Sequence, residues 1–325
     1  MSSTPERPSG SAGSAVGRRS FDGPPRIALG EAGRGGWLAG AVEAGGGMVV
    51  DLGEAEAVVW ASPTGPEALR TSLDAAPAVH WVQLPWAGIE PFVKVLDHDH
   101  LWTCGKGVYA EPVAEQALML AVSGMRGLGT YARANTWSPP QGVNLLGANV
   151  VVLGGGGITE SLLRLLGPFG CEVTVLRRTA TPMTGATRVG TLDDLDEAVV
   201  DADLVVLALA LTPETTGLID ARRLGLMKPT AWIVNVARGA HIVTDDLVEA
   251  LGSGAIGGAG LDVTDPEPLP DGHPLWTLEN CLITPHVANT PDMAVPLLSA
   301  RVTDNVGRFA AGEPLIGLVD VDAGY

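Results

Sequence analysis

The sequence contains few cysteines, few basic residues and no long apolar run. Only three of its 325 residues are cysteine, and they lie far apart without the spacing of a metal site. We interpret Cys104, Cys171 and Cys281 as buried thiols of a protein in a reducing cytoplasm. No stretch of about 18 apolar, uncharged residues predicts a membrane span.

The charge balance is acidic, since 20 Lys and Arg residues stand against 37 Asp and Glu, for a net charge of −17. This excess of negative charge argues against nucleic acid and against an anionic membrane as partners. Arg18 and Arg19 resemble a twin-arginine export signal, but Gly23-Pro24-Pro25 follows instead of an apolar segment. We therefore expect no export and a cytoplasmic location.

The length predicts about two domains, and the hydrophobic fraction of 46% is enough for a substantial core. Residues 1–24 are rich in Ser, Gly, Pro and Arg, which predicts a disordered tail. An amphipathic pattern predicts one long helix over residues 111–134. Before it, short apolar segments separated by glycine and proline predict strands at residues 26–29, 57–61, 80–84 and 101–104.

From Asn149 onward, strand patterns alternate with helical patterns. Helices are predicted between the strands, with Thr191, Asp220 and Thr244 as candidate N-caps, and a last helix is predicted over residues 291–310. Such alternation is typical of an α/β fold with a doubly wound parallel sheet, covered by helices on both faces. The predicted strands are residues 149–153, 172–176, 203–208, 231–236, 257–262 and 281–283.

The turn after the first of these strands is rich in glycine. The apolar residues 150–153 lead into the glycines at 154–157, and a helical pattern follows. Glycine lets a pyrophosphate approach the backbone, and the helix N-terminus offers free N–H groups to that anion. If Gly154 and Gly156 begin a G-x-G-x-x-G pattern, Thr159 replaces the third glycine, which predicts slightly looser helix packing. A plain glycine-rich turn is the alternative interpretation.

Three later strands are each followed by a side chain suited to catalysis. Arg238 could hold a carboxylate through its two-pronged guanidinium, and Glu267 lies in a loop stiffened by prolines on both sides. His286, after a further strand, could deliver a proton near neutral pH if a carboxylate lies beside it. Alone, each could be an ordinary turn or loop residue, but three in successive strand-end loops indicate a site.

These motifs resemble the NAD(P)-dependent D-2-hydroxyacid dehydrogenase family, which includes glyoxylate/hydroxypyruvate reductases and phosphoglycerate dehydrogenases. The resemblance runs from about residue 80 to 310. Gln116 stands where many members have histidine, and we interpret it as a structural position. The matching segments are residues 105–117, the glycine turn at 154, and residues 211–215, 235–239, 261–268 and 284–290.

The resemblance implies a role for each matched residue. Arg238 would bind the substrate carboxylate and polarise the keto oxygen, His286 would protonate that oxygen, and Glu267 would hold His286 and favour its charged form. Backbone N–H groups near Ala87 and Gly88 would grip the carboxylate from the other domain. The cofactor would contact Gly154, Gly156, Gly157, Ile158, Thr212, Pro213, Val236, Ala237 and Asp262, the last through the nicotinamide carboxamide.

The resemblance also implies two α/β domains and a dimer. We expect a discontinuous, flavodoxin-like substrate domain from residues 25–118 and 292–325, and a Rossmann-type dinucleotide-binding domain from residues 119–291. A homodimer is expected because the long helix and the extended residues 135–144 exceed what an interdomain link needs, and relatives dimerise there. In some relatives a tryptophan near the Trp137 position reaches the partner's active site.

The residues after the second strand of the cofactor domain predict the cofactor. Chains that select NAD usually place Asp or Glu there, where it accepts bonds from the ribose 2′-OH. This chain has Arg177 and Arg178 instead, which would pair with the 2′-phosphate of NADP. We therefore expect NADP to be preferred, with NAD possible. Two solvated arginines on a loop are the alternative interpretation.

The sequence thus predicts an oxidoreductase that transfers a hydride between NAD(P)H and a small 2-oxo or 2-hydroxy acid. Two alternatives remain: a catalytically idle NAD(P)-binding redox sensor, and a related enzyme for a bulkier 2-oxo acid. No metal is expected, because the Asp and His side chains of residues 97–100 alternate in direction along an extended segment. His241 could line the cleft, but a solvent-exposed turn residue is the favoured interpretation.

Overall fold

The computed structural model describes residues 23–30, 36–62 and 65–324. The chain divides into two compact units, one formed by Met1–Lys106 with Val295–Tyr325 and the other by Gly107–Ala294. The disordered tail predicted for residues 1–24 lies almost entirely outside the described residues. No helix in the described part of the chain combines the length and apolar character needed to cross a bilayer. The cytoplasmic location stays a prediction.

The first unit is built on a parallel five-stranded sheet in the order β2-β1-β3-β4-β5. This is the flavodoxin-like order expected from the sequence. The two-residue strand β2 escaped prediction because it is short and its side chains are exposed. The elements are β1 (Arg26–Leu29), α1 (Gly36–Ala44), β2 (Met48–Val49), β3 (Ala57–Val59), α2 (Pro66–Ala75), β4 (Trp81–Gln83) and β5 (Leu101–Thr103).

The second unit contains a parallel seven-stranded sheet in the order β12-β11-β10-β9-β6-β7-β8. Its first strand, β6, lies in the middle, and the order reverses between β6 and β9, as in a doubly wound dinucleotide-binding sheet. The strands are β6 (Asn149–Leu153), β7 (Glu172–Leu176), β8 (Arg188–Gly190), β9 (Leu204–Leu207), β10 (Trp232–Asn235), β11 (Gly258–Leu261) and β12 (Cys281–Ile283). The predicted fold class is confirmed, although β8 was not predicted.

Helices cover both faces of this sheet, because alternate strand residues point to opposite sides. Val150 and Val152 are buried in one cluster with Leu162, whereas Val151 and Leu153 are buried in a second cluster. The helices are α3 (Ala110–Met125), α4 (Leu128–Arg133), α5 (Gly157–Leu166), α6 (Leu195–Val200), α7 (Ala221–Leu224) and α8 (Thr244–Ser253), and α9 (Pro291–Ala311) follows β12.

The long helix predicted over residues 111–134 is two helices. Gly127 has a φ of 67°, a left-handed conformation that interrupts the helical path between α3 and α4. Among the predicted N-caps, Asp220 accepts a bond from the backbone N–H of Arg223, and Thr191 forms a capping box with Asp194. Thr244 is not a cap, because it begins α8 and its hydroxyl donates to the Asp265 carbonyl at 2.6 Å.

The boundary between the units differs from the one predicted. All of α3 belongs to the second unit, which begins at Gly107, whereas the sequence placed the boundary after residue 118. The reason is packing, since Ala114, Ala117 and Leu120 of α3 are buried in the same cluster as Val150 of β6. The chain returns to the first unit inside α9, after Ala294, whereas the sequence predicted this return after residue 291. Amphipathic periodicity identifies a helix but not the sheet it covers.

Candidate active site and cofactor-binding edge

The glycine turn connects β6 to α5 and has the shape that an anion-binding backbone needs. Gly154 has a φ of 109°, and a Cβ placed on it would lie 2.2 Å from the carbonyl oxygen of Ala208. Gly156 is the N-cap of α5, and a Cβ on it would meet nothing within 4 Å. The turn therefore leaves open space at the N-terminus of a ten-residue helix, where free N–H groups attract a phosphate.

Thr159 occupies the place of the third glycine of this pattern. It is completely buried, and its hydroxyl donates to the carbonyl oxygen of Gly154 at 2.9 Å. The side chain thus ties the first turn of α5 to the glycine loop. The slightly looser packing expected from a threonine here stays a prediction.

Arg177 follows β7 and lies across the glycine turn. A Cβ placed on Gly155 would be 2.7 Å from Nε and 2.8 Å from Cδ of Arg177. The Arg177 side chain therefore passes directly over Gly155. The backbone N–H of Arg177 donates to Gly190 of β8, which fixes where the side chain begins. Arg178 is exposed beside it. Positive charge therefore lies at the end of β7, where NAD-selecting chains carry a carboxylate.

The loop after β9 contains Thr212 and Pro213 and is held from within. The Thr215 hydroxyl donates to the carbonyl of Ala210 at 2.9 Å and accepts from the backbone N–H of Thr212 at 2.8 Å. His241 reaches the same loop, with Nδ1 2.9 Å from the Thr215 carbonyl and Nε2 3.2 Å from the Leu209 carbonyl. The expectation of an exposed His241 is wrong, because the residue is fully buried.

Burial lowers the pKa of His241, and the nearby Arg238 charge acts in the same direction. Hydrogen bonds to the two carbonyls oppose that shift without cancelling it. The neutral ring has one N–H, and the shorter distance favours donation from Nδ1 to Thr215. His241 therefore acts as a neutral cross-link between the loops that follow β9 and β10.

Arg238 lies in the loop after β10, which Asn235 organises. Asn235 is 1% exposed; its Nδ2 donates to the Arg238 carbonyl at 2.8 Å, and its Oδ1 accepts from the Ala237 N–H at 3.0 Å. A Cβ on Gly239 would lie 2.0 Å from the carbonyl group of Thr264, so glycine permits contact with the loop after β11. Arg238 is thereby brought beside the segment that leads to Glu267.

Glu267 and His286 form a close pair. Nδ1 of His286 is 2.6 Å from Oε1 of Glu267, and the two side chains are 53% and 42% exposed. The pair follows β11 and β12, and Arg238 follows β10, so all three predicted catalytic residues lie at the carboxyl ends of adjacent strands. Ligands bind at this edge of an open parallel sheet.

Asp262, at the end of β11, is almost completely buried at 2% exposure. Its carboxylate accepts from the backbone N–H groups of Val287 and Ala288, so it holds the loop that follows His286. Its expected contact with the nicotinamide stays a prediction. Val236 and Ala237, also predicted cofactor contacts, are buried at the end of β10, while Ile158 and Gly157 are half-buried in the first turn of α5.

The predicted substrate contacts Ala87 and Gly88 belong to the first unit. They follow β4, with Ala87 exposed and Gly88 half-buried. Within the described residues, neither backbone N–H has a hydrogen-bond acceptor, so both could donate to an anion. Their contact with a substrate stays a prediction.

The Asp and His residues at 97–100 contact one another and neighbouring side chains. Asp97 is 2.7 Å from Nδ1 of His100 and accepts from Arg70 at 2.6 Å, while His98 lies near Asp322 at the surface. Across residues 23–30, 36–62 and 65–324, no group of three or more His, Cys, Asp or Glu could hold a metal ion. Of the cysteines, Cys104 and Cys281 are buried and Cys171 is partly exposed.

Sequence reasoning missed three residues that shape the site: Asn235, Thr215 and Thr284. Asn235 and Thr284 are polar positions within or just after apolar strands, and a polar residue there is a signal that could have found them. Thr215 gave no such signal, because its role depends on the fold of the loop after β9.

The sheet order and glycine turn define an α/β protein of the dinucleotide-binding class. The family model described as "D-isomer specific 2-hydroxyacid dehydrogenase, NAD binding domain" matches residues 116–288. An uncharacterized protein in the proB 3′ region of Corynebacterium melassecola is 41% identical over 255 residues, which cover 76% of this chain and 84% of that protein. The chain belongs to the D-isomer specific 2-hydroxyacid dehydrogenase family of NAD(P)-dependent oxidoreductases.

One further curated relative and one solved structure are also similar to this chain. The human glyoxylate reductase/hydroxypyruvate reductase is 37% identical over 183 residues, which are 55% of this chain and only 56% of the human protein. A D-isomer specific 2-hydroxyacid dehydrogenase from Xanthobacter autotrophicus Py2, solved in complex with NADPH and MES, superposes with a TM-score of 0.79. The two chains are 27% identical in sequence, and the match covers 93% of this chain and 100% of the Xanthobacter chain.

Proposed function

We propose that the protein reduces a small 2-oxo acid of the glyoxylate or hydroxypyruvate type with NAD(P)H. The observation that carries this proposal is the 2.6 Å contact between His286 and Glu267 at the sheet edge that also presents Arg238. An acid held by a carboxylate beside an arginine is the arrangement needed to bind a carboxylate and protonate an oxygen. The similarity to the human reductase supports the substrate class.

The dinucleotide fits the residues present. The open space at Gly156 and the N-terminus of α5 suit a pyrophosphate. The glycine turn and the first turn of α5 would hold the dinucleotide, which would supply the hydride that the substrate carbon accepts. Arg238 holds the carboxylate through its fork, and the exposed edge of His286, turned away from Glu267, donates the proton to the substrate oxygen.

NADPH is the proposed preferred cofactor. The guanidinium of Arg177 lies beside the glycine turn, where it can form charge-assisted hydrogen bonds to a 2′-phosphate. Arg178 is exposed next to it. The NADPH complex of the Xanthobacter relative agrees with this choice.

A homodimer is also proposed. Three apolar side chains in the segment from the start of α4 to β6 are exposed to an unusual degree: Leu128 at 54%, Trp137 at 101% and Leu146 at 65%. Exposed apolar groups concentrated along one segment are typical of a surface covered by a partner. A second copy of this chain is the proposed partner.

A panel of 2-oxo acids tests the function directly. Glyoxylate, hydroxypyruvate, pyruvate and a bulky branched 2-oxo acid are each assayed with NADPH and NADH by the loss of absorbance of the reduced cofactor. Reduction of the small acids with higher kcat/KM supports the proposal. Faster reduction of the bulky acid favours the related dehydrogenase, and cofactor binding without any turnover favours the redox sensor.

A further inference from the structure

The loop that carries His286 folds around the side chain and carbonyl of Asp262. Oδ1 of Asp262 accepts from the backbone N–H of Val287 at 3.1 Å, and Oδ2 accepts from that of Ala288 at 3.0 Å. The Asp262 carbonyl accepts from the His286 N–H at 2.8 Å. Three consecutive backbone N–H groups therefore converge on Asp262, the residue that follows β11.

This convergence coincides with an unusual backbone conformation. His286 has a φ of 53° and is the only non-glycine residue with a positive φ among residues 23–30, 36–62 and 65–324. The left-handed region costs free energy for a residue with a Cβ. The bonds to Asp262 offset that cost, and the resulting turn directs the ring of His286 toward Glu267.

The Asp262 carboxylate is itself held by two side chains. The Thr284 hydroxyl donates to Oδ1 of Asp262 at 2.6 Å, and the Gln116 amide donates to the Thr284 oxygen at 2.8 Å. The same amide nitrogen lies 3.4 Å from Oδ1 of Asp262. A carboxylate can only accept, so the Thr284 proton must point to Asp262 and the Thr284 oxygen must accept from Gln116.

Gln116 supplies a firm anchor for this chain of hydrogen bonds. It lies on α3, between Ala114 and Ala117, both of which are buried in the core of the second unit. Helix α3 therefore cannot shift without disturbing that core. The amide does not titrate, so its donor N–H is present at every pH at which the protein is folded.

We propose that Gln116 and Thr284 are positioning residues for His286. They fix the orientation of the Asp262 carboxylate, the carboxylate fixes the N–H groups of residues 286–288, and the turn places the imidazole against Glu267. Neither residue touches the substrate in this role. The inference rests on the proposed function only for its kinetic consequence.

The first test measures the loop in the cofactor-free protein. Hydrogen–deuterium exchange of residues 284–290 is compared in wild type, Thr284→Val and Thr284→Ser. A hydrogen bond to a charged acceptor restrains opening, so Thr284→Val should raise the exchange rate about 10- to 100-fold. Thr284→Ser keeps the hydroxyl and should restore it. Unchanged exchange in Thr284→Val, or no restoration by serine, overturns the proposal.

The second test measures turnover. Displacement of a catalytic group by a fraction of an ångström to an ångström costs up to about 100-fold in rate, so Thr284→Val should lower kcat more than it raises KM. Gln116→Met should act in the same direction but less, because Thr284 still reaches Asp262. Thr277→Val is the matched control, since it removes an exposed hydroxyl bound only to the Pro274 carbonyl.

The outcomes separate this proposal from the proposed function. If wild type reduces no 2-oxo acid, the function fails while the exchange experiment still decides the role of Thr284 and Gln116. If Thr284→Val does not fold, Gln116→Met, on a half-buried helix position, carries the same exchange test. A kcat for Thr284→Val equal to that of Thr277→Val overturns the positioning role.

Discussion

His286 and Glu267 are joined by a 2.6 Å contact between Nδ1 and Oε1 across 19 positions of sequence. The contact orients the imidazole and leaves its other nitrogen facing away from Glu267. A histidine held in this way can pass a proton to a substrate oxygen at the carboxyl edge of the sheet. It also joins the loops after β11 and β12.

The first prediction concerns proton donation by His286. His286→Ala should lower kcat by about 10²- to 10⁴-fold, the usual contribution of a positioned general acid. Cofactor binding, measured by quenching of protein fluorescence, should be unchanged. His98→Ala is the control, because His98 is an exposed histidine of the other unit. A folded His286→Ala protein with near wild-type turnover would contradict the assignment.

The second prediction concerns the substrate carboxylate. Arg238→Lys keeps the charge but removes the two-pronged geometry. It should therefore raise KM for the 2-oxo acid and lower kcat/KM by about 10- to 100-fold, the range for a hydrogen bond to a charged group. Steady-state kinetics at fixed NADPH check this. Wild-type kinetics in the lysine variant would mean that the carboxylate is held elsewhere.

The third prediction concerns cofactor choice. Arg177→Asp should lower the ratio of kcat/KM with NADPH to that with NADH by about 10- to 100-fold, because a carboxylate repels the 2′-phosphate. Lys94→Asp makes the same change of charge on the other unit and should leave the ratio unaltered. A wild type that favours NADH, or a ratio indifferent to Arg177→Asp, would refute the preference.

The fourth prediction concerns assembly. Light scattering at micromolar concentration should give the mass of a dimer, and Trp137→Ala combined with Leu146→Asp should shift it toward a monomer. Both side chains are exposed apolar groups in this chain, and a buried charge opposes association. Val200→Asp, at another exposed apolar position, should leave the mass unchanged. A monomeric wild type would contradict the proposal.

The fifth prediction concerns stability below neutral pH. Burial lowers the pKa of His241 in the folded protein. Below about pH 6.5 this histidine therefore binds a proton in the unfolded chain more readily than in the folded protein. The free energy of unfolding should therefore fall as pH drops, by up to about 1.4 kcal/mol per pH unit from this residue. His241→Gln lacks that titration. Urea unfolding at pH 7.5, 6.5 and 5.5 should show a shallower pH dependence for the variant; equal slopes would contradict the argument.

Much of the second unit could be predicted because its signals are local. Apolar strands followed by glycine or polar loops give the alternation of a doubly wound sheet, and Arg238, Glu267 and His286 each follow such a strand. The break at Gly127 could not be predicted from periodicity, because the apolar spacing continues through it. The exposed position assigned to His241 was wrong because its burial depends on a loop 26 residues earlier in the chain.

The fold class, the glycine turn and the three strand-end side chains could be read from local sequence, because strand alternation and turn chemistry depend on neighbouring residues. The folded chain alone reveals that α3 belongs to the second unit, that Arg177 lies over Gly155, and that Gln116, Thr284 and Asp262 contact one another beneath the His286 loop. Those contacts join residues up to 168 positions apart. Sheet order and side-chain packing bring these distant residues into contact, and local sequence patterns do not predict such contacts.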